Sequence, residues 1–178
     1  MKLNKRFIAI FVILLLGSAA VVYAAQTLSF DKAKIDPEKG RLKVDIGMTG
    51  FTPTLATDFT FSFAVMNNAN GESSFVTGTF DEKGKLRDID NCGTVCPPTH
   101  IVIDKAKLKM GKSTDDKGSI KVKVTLNGFT STQPTDYTIA AALANSANYE
   151  SGFVVGPVVT IEVPDQCFDG SPLPCVPL

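Results

Sequence analysis

The chain has 178 residues, with basic and acidic side chains balanced at 18 each, 12 phenylalanines, no tryptophan and one histidine. That balance excludes the strong positive excess of proteins whose main partner is nucleic acid or anionic lipid. A single histidine, with no nucleophile-elbow motif and no phosphate loop, leaves the Ser-His-Asp and P-loop arrangements without their parts, so the chain is not expected to be an enzyme.

At the N-terminus, Lys2, Lys5 and Arg6 precede an uncharged apolar run over residues 7–22, followed by Tyr23-Ala24-Ala25. This is the layout of a secretory signal over residues 1–24, with Val22 and Ala24 at minus three and minus one of a cleavage site. The competing reading is an uncleaved anchor, because the run approaches the roughly 18 apolar residues of a membrane span. Gly17-Ser18 weakens that helix and favours the signal. Either way the remainder belongs outside the cytoplasm, as an extracellular, cell-surface or periplasmic protein, and membrane contact is expected only through this segment if it stays. Cleavage removes three basic and no acidic residues, leaving a weakly acidic chain. The lysines that remain are scattered along strands, a placement that suits solubility and protection of sheet edges.

Beyond the signal, the hydrophobic period is two. A leading strand is predicted near residues 28–35. It is followed by a strand in which Leu42, Val44, Ile46 and Met48 alternate with Lys43, Asp45, Gly47 and Thr49, and by another with Phe59, Phe61, Phe63 and Val65 on one face. A trailing strand is predicted near residues 74–80.

The same order then recurs. Residues 40–78 register without a gap on residues 118–156, with about half the positions identical, which reads as duplication. Gly50-Phe51-Thr52 falls on Gly128-Phe129-Thr130, Thr57-Asp58 on Thr135-Asp136, and Phe75-Val76 on Phe153-Val154. Asp31-Lys32-Ala33-Lys34 returns as Asp104-Lys105-Ala106-Lys107 at a shorter offset, placing an insertion over residues 110–116. The second copy predicts strands near residues 101–108, 120–126, 137–143 and 153–163, with Lys117-Gly118 as a turn. Its stretch Thr138, Ala140, Ala142 and Ala144 also admits a helix, although the phenylalanines of the matching first-copy segment favour a strand. Small side chains on that face let another layer approach closely.

The four cysteines form two close pairs, Cys92 with Cys96 and Cys167 with Cys175, each just after the body of one copy. In an exported chain they read as two local disulfides. A metal site of Cys92, Cys96 and His100 is disfavoured, since the second copy has no matching histidine and Pro97-Pro98 breaks the helix that would align the three. His100 reads as an ordinary residue at the start of a strand. The proline-rich tail, residues 164–178, cannot join a central strand and reads as a disulfide-pinned loop.

The expected fold is all-β, an internally duplicated antiparallel β-sandwich that resembles Ig-like or similar modules in outline. Residues 25–98 form the first repeat and 99–178 the second. Two beads of about 75 residues each are the alternative, less favoured because small units bury proportionally less surface.

The candidate ligand or ion loops are Asn67, Asn70 and Glu72, echoed by Asn145, Asn148 and Glu150, with Asp58 and Asp136 as the other repeated acids. Their oxygens suit calcium, a hard cation, but each loop offers one carboxylate and its asparagines are also ordinary turn formers. No metal or other cofactor is expected; calcium is the alternative. The function expected is a non-catalytic structural or interaction protein that binds a protein, including itself, through strand edges. The alternative is a small-ligand or calcium-binding protein using the repeated loops.

Overall fold

A computed structural model describes residues 26–36, 40–87, 99–111, 117–128 and 135–161. The N-terminal segment, all four cysteines and the proline-rich tail lie outside the described residues.

The described chain is nearly all strand. β1 (Thr27–Asp36), β2 (Arg41–Thr49), β3 (Phe59–Asn67), β4 (Ser73–Phe80) and β5 (Leu86–Arg87) come first, then β6 (His100–Met110), β7 (Lys117–Asn127), β8 (Thr135–Asn145) and β9 (Glu150–Ile161). Every pairing is antiparallel, and the strands form two sheets in the orders β1-β2-β7-β6 and β5-β4-β3-β8-β9.

Alternation decides what each strand buries. Leu42, Val44, Ile46 and Met48 of β2 and Ile120, Val122, Val124 and Leu126 of β7 enter one core with Phe59, Phe61, Phe63 and Val65 of β3 and Ile139, Ala141 and Leu143 of β8. Phe61 lies with ring centroids 6.3 Å from Phe63 and 6.0 Å from Phe80. The alanine-rich stretch is strand β8, because its backbone is paired on both sides, by β3 and β9, where a helix would have left both neighbours unpaired. On its outer side Ala64, Thr138 and Ala140 are also buried.

Both sheets are joined at their centres by strands far apart in sequence. In the β2–β7 ladder Val44 faces Val122, and in the β3–β8 ladder Phe63 faces Ala141. These are the positions that the sequence alignment superposes, so each ladder is centred on a residue and its own counterpart. The sheet margins also meet, β1 against β9 and β4 against β6.

Two local expectations are corrected. Lys117 and Gly118 are not a turn but the first residues of β7, where Gly118 pairs with Met48 and Met110. A Cβ there would come 3.0 Å from the Lys109 carbonyl oxygen, so glycine lets three backbones lie close. The short β5 was not anticipated at all. It is held by Asp81, whose carboxylate accepts from the backbone N–H of Lys83 (3.0 Å) and Lys85 (2.8 Å) and from Arg87 Nε (3.0 Å). The turn then caps the margin of β6: Leu108 N–H donates to the Gly84 carbonyl at 2.8 Å and Lys85 bridges to Lys107. Gly84 has φ +69°, and a Cβ there would lie 2.4 Å from the Leu108 oxygen, so alanine would break the closure.

The donors around Asp81 hold its carboxyl below the ordinary aspartate range, led by the Lys85 N–H and then the Arg87 side chain. A carboxyl depressed in the folded state adds stability above its unfolded pKa of about 3.9 and loses it as pH falls through the folded value. Urea midpoints taken from pH 6 downward are therefore expected to fall more steeply below about pH 4 in the parent than in Asp81→Asn. Equal pH slopes would contradict this.

Candidate functional site

The repeated loops are tight turns closed by their own side chains. Asn67 Oδ1 accepts the Ala69 N–H at 2.9 Å and Asn145 Oδ1 the Ala147 N–H at 3.0 Å. Asn70 Oδ1 accepts from Glu72 N at 2.9 Å and Asn148 Oδ1 from Glu150 N at 3.4 Å. Asparagine recurs here because its amide imitates a backbone turn two residues on. The amide oxygens that sequence reasoning offered to a cation are thus engaged with backbone donors.

Each loop is also fastened to the opposite half, one to the first residues of β8, where Thr135-Asp136 is already strand, and the other to the short turn Ala56–Asp58 before β3. Asn68 N–H donates to the Asp136 carbonyl, and Ser146 N–H to the Asp58 carbonyl, each at 2.9 Å. Thr138 Oγ1 donates to Asn68 Oδ1 at 2.9 Å, and the Ser146 hydroxyl to the Asp58 carbonyl at 3.1 Å. The carboxylates of the two aspartates serve their own surroundings: Asp58 Oδ2 accepts from Leu55 N at 3.0 Å and Asp136 Oδ1 from Thr160 Oγ1 at 2.7 Å.

Glu150 makes the tightest of these contacts. Its carboxylate takes both the backbone N–H of Thr52 (2.8 Å) and the Thr52 hydroxyl (2.5 Å). Asn145 Nδ2 lies 3.1 Å from Thr54 Oγ1, so two threonines of the Gly-Phe-Thr-x-Thr motif are gripped by one loop. Phe51 is buried beneath them, its ring 6.3 Å from that of Phe59 and close enough to Gly152 that a Cβ there would approach it to 3.1 Å. Phe51 therefore caps one end of the core; Phe129, its counterpart, lies outside the described residues.

The candidate residues form two clusters at opposite ends of the β3–β8 ladder. Asn145, Asn148, Glu150 and Asp58 lie at the end where Phe59 pairs with Asn145; Asn67, Asn70, Glu72 and Asp136 lie where Asn67 pairs with Tyr137. Eight residues of strand, about 27 Å, separate them. Burial raises the Tyr137 phenol above its ordinary pKa, with the Glu72 carboxylate adding to the shift. Among the described residues no group of three or more His, Cys, Asp or Glu is placed to hold a metal ion. His100 opens β6 as expected, with Asn127 Nδ2 3.2 Å from its Nε2.

Sequence reasoning missed two surface features that only the register reveals. Phe153, Val155 and Val158 stand exposed along β9, at 57%, 45% and 46% of their full areas. On the outer face of the four-stranded sheet, Lys34, Lys43, Lys123 and Lys105 fall opposite one another in a single row crossing β1, β2, β7 and β6. The alternating lysines of each strand are the visible signal, but they become a row only once strand order is known.

Tyr149 at a loop tip is 82% exposed with φ +60°, where the matching loop has Gly71 at φ +75°. A tyrosine in this region carries about 1–2 kcal/mol of strain. Tyr149→Gly is expected to raise stability by about 1 kcal/mol after the entropy cost of glycine, whereas Glu150→Ala, which removes two exposed hydrogen bonds to Thr52, is expected to lower it by about 1 kcal/mol. Chemical denaturation of both variants checks the pair; a loss for Tyr149→Gly or a gain for Glu150→Ala would contradict the geometry.

The chain matches no protein-family model and no curated protein.

Proposed function

We propose that the chain is an exported, non-catalytic interaction protein, one duplicated β-sandwich of Ig-like outline, that associates with a second copy of itself along strand β9. The observation that carries this reading is the character of β9. It is the outermost strand of its sheet, β1 packs against its margin but no ladder among the described residues continues beyond it, and its outward side chains are an apolar stripe.

The contrast with the other margins supports it. Outer strands are normally guarded by charge, lysine above all, because their free N–H and C=O groups would otherwise pair with another chain. β1 carries Lys32 and Lys34, and β6 carries Lys105, Lys107 and Lys109. From Ser151 to Ile161, β9 carries no charged residue. Two copies of β9 laid antiparallel would bury Phe153 and Val155 without burying an ion, and a twofold pairing of identical strands closes on itself as a dimer. Pro157 lacks an N–H, so the pairing is confined to the stretch before it.

The loops support a structural rather than a ligand-binding role, since Glu150 and Asn145 hold Thr52 and Thr54, and Asn68 and Ser146 bond to Asp136 and Asp58, across the halves. The reading of export rests on the N-terminal segment alone.

Light scattering of residues 25–178 across a hundredfold concentration range tests the proposal. Concentration-dependent dimers are expected, abolished by Val155→Lys, unaffected by Thr49→Lys on the other sheet, and indifferent to calcium or chelator. A monomer at every concentration, or association that survives Val155→Lys, would reject β9 as the contact.

A further inference from the structure

We propose that the outer face of the four-stranded sheet binds an extended acidic polysaccharide, laid across the strands along its rows of lysines. The face is built from two adjacent rows. One is Lys34, Lys43, Lys123 and Lys105; the next is Lys32, Asp45, Lys121 and Lys107. Seven of these eight side chains are cationic. The single carboxylate, Asp45, is 3.9 Å from Lys121.

Such an arrangement opposes folding. Like charges directly opposite one another on paired strands are destabilising. Neighbours about 4.8 Å apart lie inside the screening length of about 8 Å at physiological salt. Solubility calls for interspersed signs, not same-sign rows. Guarding of strand margins explains lysines on β1 and β6 but not Lys43, Lys121 and Lys123 on the central strands β2 and β7.

The rows also coincide with the matched stretches of sequence. Lys32, Lys34 and Lys43 align with Lys105, Lys107 and Lys121, so the surface lysines common to both stretches are the ones brought onto this face. Three further carboxylates lie on the face outside the two rows: Asp31 accepts from the Ser29 hydroxyl at 2.9 Å, Asp104 from the Thr125 hydroxyl at 2.8 Å, and Asp36 stands opposite Arg41.

The chemistry of the face selects among polyanions. The outward residues of these four strands include no Phe, Tyr or Trp, and the one imidazole, His100, stands at the margin beside Asn127, so no row of rings offers a platform on which successive bases would stack. Lysine outnumbers the lone Arg41, so the face offers separate point charges set out along a line. A four-stranded sheet twists by about 20–25° per strand, so a flat lipid surface meets only part of it. A single row across the strands stays close to linear and spans about 14 Å. A linear polymer bearing regularly spaced carboxylates fits that line.

The test is binding of the full chain, purified from the exported fraction, to polygalacturonate, with double-stranded DNA and phosphatidylserine vesicles as competitors. Binding to polygalacturonate is expected at about 50 mM salt and to weaken steeply with added salt. Lys43→Gln with Lys123→Gln is expected to weaken it at least tenfold while leaving the melting temperature unchanged or higher, since repulsion is removed. Lys34→Gln with Lys105→Gln, at the ends of the same row, should do the same to a lesser degree. Affinity unchanged in both pairs, tighter binding to DNA or vesicles than to polygalacturonate, or binding lost only in step with unfolding would overturn the proposal.

Discussion

The structure depends on antiparallel pairing between strands from opposite halves of the chain. β2 with β7 and β3 with β8 form the middles of the two sheets, and the other strands are added outward from them. The register of these ladders is fixed by burial. A slip of one residue would turn Val44, Ile46, Val122 and Val124 to solvent and bring lysines into the core, so the core face permits one alignment. Because each ladder is centred on superposed positions, Val44 with Val122 and Phe63 with Ala141, what one half places on a face the other half places nearby. The lysine rows, the paired loops and the clasps on Asp58 and Asp136 follow from that arrangement.

Strand positions were legible in the sequence wherever alternation was strong. Residues 41–49 alternate without a break, and β2 occupies that span. Legibility failed where tertiary contacts override local chemistry. Lys117-Gly118 has the composition of a turn, yet the backbones of Met48 and Met110 on either side draw it into β7. β5 is two residues long and exists because Asp81 folds the chain back, a cause that no periodicity displays.

The loops divide in the same way. That Asn67, Asn70, Asn145 and Asn148 would form turns was readable from residue type, because each amide bonds two residues ahead. That Glu150 would hold Thr52, on the far half of the chain, was not, since nothing local links them. The net charge was misleading for a related reason: near-neutral composition averages over the lysine rows and the uncharged residues 151–161 of β9, which the fold places on different sheets. The two proposals use these separate surfaces, so a dimer formed along β9 leaves the lysine rows open to a polymer.

The central claim is that the two halves are one cooperative unit locked by β2–β7 and β3–β8. Native-state hydrogen exchange of residues 25–178 tests it most directly. If the claim holds, the slowest amides of β2, β3, β7 and β8 exchange with one common opening free energy that shifts together with added denaturant. Two separate opening energies, one for β2 and β3 and another for β7 and β8, would show halves that unfold independently and would contradict the account.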